Sequence, residues 1–208
     1  ISCAIGLGIL YISIPYVNYK GIELVAVGVS CVLFAYLYTS ILSYKGWGDI
    51  LVIVFFGIVP VCTTYYLQAS VVTIPVFLLS LACGFAIDAL LVINNYRDRE
   101  QDLISGKRTT VVLYGEKFGS LHYLMCGVIP ILLIFIIVML EIFKTAHSSY
   151  ISLIEATVVS VVYLAFHIKA WNKMLSIYKG KQLNTVLGRT SLNIFIFGIL
   201  LTLIIINN

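Results

Sequence analysis

The ionisable residues of this sequence gather in one stretch, Asn94 to Gly115, reading NNYRDREQDLISGKRTTVVLYG. It holds two of the four aspartates, three of the four arginines, Lys107 and the adjacent Asn94 and Asn95. If the helix entering this stretch continues through it, Asn94, Asp98 and Asp102 drift only about 40° per four-residue step and project from one face. Two carboxylates on one face repel and raise each other's pKa, which is costly at a low-dielectric boundary unless a cation lies between them. A divalent metal removes that conflict. Oxygen-only ligands select a hard ion, and Mg²⁺ uses one or two carboxylates, keeps several waters and fills its shell with substrate phosphate. Asp98, Asp102 and Asn94 are therefore candidate metal ligands. Arg97, Arg99, Lys107 and Arg108 stand nearby with the fork and point-charge geometries that a diphosphate needs around its remaining oxygens. The bland alternative is a solvated loop whose charges only fix topology.

A second polar cluster, Ser43 to Asp49 (SYKGWGD), lies between two apolar runs. Asp49 directly precedes one of them, where a helix N-cap is its ordinary role. Tyr44 and Lys45 suit the interface as anchors; functionally, Lys45 could hold a phosphate and Asp49 could orient a cation or an acceptor. The tyrosines and polar residues from Thr63 to Gln68 read as an interfacial belt. Asp88 lies inside an apolar run, where an acid is expensive and carries a functional hypothesis by default. Seven-residue steps allow Asp88, Asn95 and Asp102 to share an inward face, with an interhelical hydrogen bond as the plain reading. His122, Glu155 and His167 lie nearer the ends of their runs, where snorkelling explains them.

The elements that must position these residues are membrane-spanning. The sequence is 61% hydrophobic and 11% charged with mean hydropathy +1.07, whereas a soluble domain carries about 25% charged residues. Apolar runs occupy Ile1 to Tyr16, Ile22 to Tyr38, Ile50 to Leu67, Ile74 to Ile93, Phe118 to Leu140, Tyr150 to Ile168 and Ser191 to Ile206. Most are long enough to cross a hydrocarbon core of about 30 Å. The expectation is an all-α, multi-pass helical bundle of seven spans in one domain, 1–208, with longer connections only at Asn94 to Lys117 and Lys169 to Thr190. Placing the Asn94 stretch inside puts eleven of the thirteen Lys and Arg residues on that side and leaves Lys20 and Lys144 opposite. By the positive-inside rule the polar face is cytoplasmic, and the net charge of +4 reflects topology rather than nucleic acid. The opening run reads as the remainder of a span. Cys3, Cys31, Cys62, Cys83 and Cys126 show no C-x-x-C or Cys/His spacing and read as small buried hydrophobes, so zinc is not indicated. Phosphate-binding loops, nucleophile elbows and dinucleotide fingerprints are absent from the sequence.

The string NNYRDREQDLISGKRT resembles the second aspartate-rich motif of the UbiA-type intramembrane aromatic prenyltransferases. Within them it is similar to the 1,4-dihydroxy-2-naphthoate prenyltransferases of menaquinone biosynthesis. The matching positions are Asn94, Asn95, Arg97, Asp98, Asp102, Gly106, Lys107 and Thr109, closing at Tyr114 and Gly115. A second match runs through Tyr44, Lys45, Gly48 and Asp49, then Phe55, Phe56 and Gly57, then Thr64 to Gln68. The resemblance implies a nine-helix bundle in a bacterial cytoplasmic membrane. It also implies a first motif of Asn-x-x-x-Asp-x-x-x-Asp type, which this sequence lacks and which would fall in an N-terminal part. The implied reaction moves a polyprenyl group from an allylic diphosphate to 1,4-dihydroxy-2-naphthoate with decarboxylation, giving demethylmenaquinone. Asp98 and Asp102 would hold Mg²⁺, with Asn94, Asn95, Arg97, Lys107 and Arg108 on the diphosphate. Tyr44, Lys45 and Asp49 would place donor or acceptor. A related enzyme using 4-hydroxybenzoate and a transporter using Asp88 are the alternatives.

Overall fold

In hydrocarbon each backbone N–H and C=O must be satisfied within its own segment, so apolar runs of this composition become helices. A computed structural model describes residues 2–40, 42–144 and 149–207. Its α-helices are α1 (Ser2–Ser13), α2 (Ile22–Ser40), α3 (Gly48–Val52), α4 (Val59–Ala69), α5 (Ile74–Ile104), α6 (Thr110–Lys144), α7 (Ser149–Ile177) and α8 (Asn184–Asn207). A π-helical stretch, Ile53–Ile58, joins α3 to α4, making one rod from Gly48 to Ala69. All seven apolar runs are helical. Among the described residues, five rods are long and apolar enough to cross a membrane: Gly48–Ala69, Ile74–Ile104, Thr110–Ile142, Ser152–Ile177 and Lys181–Ile204. The apolar helices Ala4–Tyr16 and Ile22–Tyr38 are shorter. The architecture is an all-α, multi-pass membrane bundle with five candidate spans.

The two long polar connections expected from the sequence are mostly helix. α5 runs through the charged stretch to Ile104 and α6 starts at Thr110; α7 continues to Ile177 and α8 starts at Asn184. Arg, Glu, Gln and Asp are all tolerated in helices, so a fall in hydropathy marks departure from the apolar layer without ending the helix. α6 carries one break, at Gly115 (φ 85°), between its first turn and its long apolar part.

α5 is the central element. Near its polar end Ala89, Val92 and Tyr96 pack with Tyr123, Met174 and Leu183; toward its other end Ala86 joins Ile134, Tyr163 and Phe197. The π-helical stretch crosses α5 at backbone contact: a Cβ on Gly57 or Gly84 would overlap main-chain atoms of the other segment. Small residues at a crossing permit this close approach where both helices face lipid.

The Tyr44–Asp49, Ile104–Thr110 and Ile177–Asn184 turns share one end of the bundle, joined by contacts described below. At the other end Asn18 Nδ2 donates to the Ser70 carbonyl at 2.9 Å, and Tyr66 Oη donates to Glu23 Oε1 at 2.8 Å. Thr64, Tyr65 and Gln68 also line an apolar cavity of about 680 Å³ there, closed by Leu79, Ile134 and Leu201. Thr64, Tyr65 and Gln68 nevertheless remain exposed, while Thr63, Tyr66 and Leu67 are half-buried.

Candidate active site

The end of α5 explains the Gly-Lys pair of the motif. Gly106 takes φ 77°; its N–H bonds the Leu103 carbonyl at 3.3 Å, and the Lys107 N–H bonds the Asp102 carbonyl at 2.8 Å. This is a Schellman cap, whose left-handed position favours glycine. The turn carries Lys107 back over α5, with Nζ 3.6 Å from Asp102 Oδ1. Asp102 is 9% exposed, and its Oδ2 is buried without a hydrogen-bond partner among the described residues. Thr109, also buried, then caps α6: its Oγ1 accepts from the Val112 N–H at 3.3 Å.

Because the helix is continuous, Asn94, Asp98 and Asp102 follow one another along it, and Arg97 ties the first two together. Its Nε and Nη2 donate to the two Asp98 oxygens at 2.7 and 2.5 Å, Nη2 also donates to Asn94 Oδ1 at 2.7 Å, and Nη1 donates to Asn184 Oδ1 at 2.7 Å. The Arg97–Asp98 pair keeps about a quarter of its side-chain surface exposed. Such a pair is worth no more than about 1 kcal/mol, so an incoming anion or cation can open it. The row Asp88, Asn95 and Asp102 is the more buried one, at 0, 3 and 9% exposure; the seven-residue reading marks the inward face.

Arg99 departs from the expected cation cluster. Its guanidinium lies over the rings of Tyr96 and Tyr178, donates to the Tyr96 and Tyr178 carbonyls, and pairs with Glu116 at 3.3 Å. Two positions from Arg97, it emerges on nearly the opposite side of α5 and braces the α7–α8 turn. Tyr178 Oη donates to Glu116 Oε1 at 2.6 Å, and that bond raises the phenol above its ordinary range.

The second polar cluster docks onto the first. The Arg108 N–H donates to the Tyr44 carbonyl at 3.1 Å, and Thr110 Oγ1 donates to Asp49 Oδ2 at 2.8 Å. Asp49 is buried with Oδ1 unpartnered among the described residues. It is not the expected N-cap: Trp47 holds that position and Asp49 sits in the first turn of α3, where the helix dipole still favours its charge. A narrow cleft joins Asp49, Asn95, Lys107 and Thr110 with Tyr38. Asn95 Oδ1 is likewise buried and unpartnered among the described residues. Tyr44, Lys45 and Arg108 are exposed at the rim.

Half-way along α5 lies a cluster of which the sequence flagged Asp88 alone. Asp88, wholly buried, has Oδ2 3.2 Å from His122 Nε2 and accepts from Cys126 Sγ at 3.6 Å. The ligand atoms of the three lie within 4.8 Å of one another and could hold a divalent cation. His122 is thus an internal partner, not a snorkelling one, and Cys126 is more than a small hydrophobe. The available signal was the four-residue spacing of His122 and Cys126, which puts both on one face of α6. His167 is internal too, bonded through Nε2 to the Tyr123 carbonyl at 2.8 Å and stacked on that ring. Glu155 is half-buried, as are Cys31, Cys62 and Cys83, while the Cys3 side chain lies outside the described residues. Asn184, Thr110 and Tyr38 are the remaining site neighbours the sequence did not flag.

Oxygen donors on one helix face, flanked by fixed cations at one end of a membrane bundle, form the setting in which comparison with known proteins is decisive. The UbiA prenyltransferase family matches residues 1–179. The chain belongs to the UbiA prenyltransferase family. Among curated relatives, this UbiA-family chain is 37% identical over 120 residues to the 1,4-dihydroxy-2-naphthoate octaprenyltransferase of Haemophilus influenzae, covering 56% of this chain and 39% of that protein. It is 46% identical over 74 residues to the Escherichia coli protein of the same name, covering 36% and 24%. It is 25% identical over 169 residues to the human UbiA prenyltransferase domain-containing protein 1, covering 80% and 47%. The matched parts span less than half the length of these relatives. No solved structure matches the chain.

Proposed function

We propose that this UbiA-family chain carries the second metal and diphosphate motif of an enzyme that prenylates 1,4-dihydroxy-2-naphthoate from a polyprenyl diphosphate, releasing carbon dioxide and diphosphate and giving the hydroquinone, demethylmenaquinol, from which a separate two-electron oxidation gives demethylmenaquinone. The observation that carries the reading is the all-oxygen face of Asn94, Asp98 and Asp102, bordered by Arg97 and the cap-held Lys107. A buried Asp102 oxygen without a partner among the described residues and a weakly held Asp98 suit a hard divalent ion. When bound, Mg²⁺ would supply Lewis-acid stabilisation to the leaving diphosphate.

The chain's own residues do the rest. Arg97, oriented by Asn94 and Asn184, presents its fork toward a diphosphate that replaces Asp98. Lys107 and Arg108 neutralise further oxygens, favouring heterolysis of the allylic carbon–oxygen bond. The aromatic ring then gives its electron pair to the allylic carbon, and loss of carbon dioxide restores aromaticity. Apolar helix walls exclude water that would quench the allylic cation. Asp49 and Asn95 line the narrow cleft and Tyr44 and Lys45 stand exposed beside it; this reading places donor or acceptor outside the cleft, against its rim. In it the motif end faces the cytoplasm of a bacterium, and α1 and α2 count as spans, giving seven. A permeation path along Asp88 lacks support: Asp88 is enclosed by His122 and Cys126.

The test is transfer of a labelled prenyl group in membranes containing the protein, with Mg²⁺ and with EDTA, beside Asp98→Ala. Metal-dependent prenylated naphthoate, lost in the variant, is the expected result. Turnover with 4-hydroxybenzoate instead would move the acceptor, and transfer to neither would overturn the proposal.

A further inference from the structure

We infer that Asp88, His122 and Cys126 form a second metal site, separate from the motif, that takes a borderline or soft transition ion of the Zn²⁺ class and clamps α5 to α6 at mid-membrane. The donor set is one oxygen, one imidazole nitrogen and one sulfur, which favours zinc-like ions over Mg²⁺. A tetrahedral ion with bonds of about 2.0–2.1 Å to N or O and about 2.3 Å to S separates an N/O pair by about 3.3 Å and an O/S pair by about 3.5 Å. The observed separations are 3.2 Å for His122 to Asp88 and 3.6 Å for Cys126 to Asp88. The two edges that meet at Asp88 already have the lengths of such a polyhedron, and the His122 and Cys126 ligand atoms lie within 4.8 Å of each other.

A hydrogen-bonded triad would use similar distances, so a second observation matters. Asp88 Oδ1 is buried and has no partner among the described residues, although an unpaired carboxylate oxygen in this environment is costly. A metal-bound water in the fourth position gives that oxygen a donor. Charge also balances: M²⁺ with the Asp88 carboxylate, the Cys126 thiolate and neutral His122 sums to zero. Binding the ion releases the Cys126 thiol proton and any proton that His122 carries. Burial therefore leaves no net charge in the low-dielectric interior. Asp49 is the next buried carboxylate within electrostatic reach of Asp88 and His122. The site does not depend on which acceptor the enzyme prenylates.

The test is Co²⁺ loading of the detergent-purified chain after treatment with a chelator, in a background with Cys3→Ser, Cys31→Ser, Cys62→Ser and Cys83→Ser so that Cys126 is the remaining thiol. One equivalent of cobalt retained through desalting is expected, with a thiolate-to-cobalt charge-transfer band and tetrahedral d–d bands. Zn²⁺ should abolish both and excess Mg²⁺ neither. Adding Cys126→Ser should remove the charge-transfer band, and His122→Gln should remove the retained ion. No retained cobalt, or a spectrum lacking the thiolate band, overturns the inference and leaves a hydrogen-bonded clamp. That spectrum of the Cys126-only chain decides the matter even if the Cys126→Ser or His122→Gln chain fails to fold.

Discussion

The polar mouth at the end of α5 and the cluster around Asp88 at its middle are about 15 Å apart by the rise of ten residues, and are made for opposite conditions. At the mouth, Asn94, Asp98 and Asp102 offer oxygen alone, and Arg97 and Lys107 hold them through contacts that solvent reaches. At mid-helix, Asp88, His122 and Cys126 offer three different elements with almost no exposure. A site that trades ligands on every turnover needs weak, replaceable internal pairs. One that only has to persist is better buried and neutral. On the proposed reading, turnover belongs to the mouth and architecture to the middle.

The largest expected effect tests the mouth. Asp98→Ala should lower prenyl transfer about 10²–10³-fold, the scale of losing one preorganised electrostatic group. Its melting transition should change little, because a half-exposed ion pair contributes at most about 1 kcal/mol; a large loss of stability with normal turnover would reverse the assignment. Asp88→Ala should do the opposite. Leaving His122 and Cys126 buried without their acceptor costs about 1–3 kcal/mol, read as lower resistance to denaturant, and transfer per folded molecule should suffer less than in Asp98→Ala. Thr110→Val, which strips the buried Asp49 carboxylate of its donor, should cost about 1–3 kcal/mol as well. Because Asp49 borders the cleft, it should also raise KM. Gly106→Ala is the mildest. A Cβ there meets nothing within 4 Å among the described residues, so the cost of about 1 kcal/mol is backbone strain at positive φ. By loosening Lys107 it should raise KM for the diphosphate more than it lowers kcat.

The spacing of the mouth was legible in the sequence because its logic is local: Asn94, Asp98 and Asp102 are related by helical spacing, whereas Gly106 was marked only by the motif and its capping role comes from the backbone. The bundle was legible because apolar runs announce themselves. The ends of the helices were not. Hydropathy falls where α5 leaves the apolar layer, but the helix runs on to Ile104 since nothing in YRDREQDL breaks it. Asp88 was recognised as anomalous, yet its partners lie 34 and 38 positions away on another helix, where a lone His and a lone Cys carry no spacing to Asp88. Arg99 failed for the opposite reason: composition grouped it with Arg97, while helical geometry turned it toward Tyr178.

One contact sets an order of assembly. Arg97 reaches Asn184 across 87 residues of chain, and Asn184 opens α8. At about 5–20 residues per second, the ribosome needs roughly 4–17 s to deliver that asparagine after the arginine has been made. Throughout that interval Asn94 and Asp98, only a turn away, are the arginine's native companions. The mouth is completed only when α8 leaves the ribosome, and a nascent chain stalled before α8 would display a guanidinium with one arm still unclaimed.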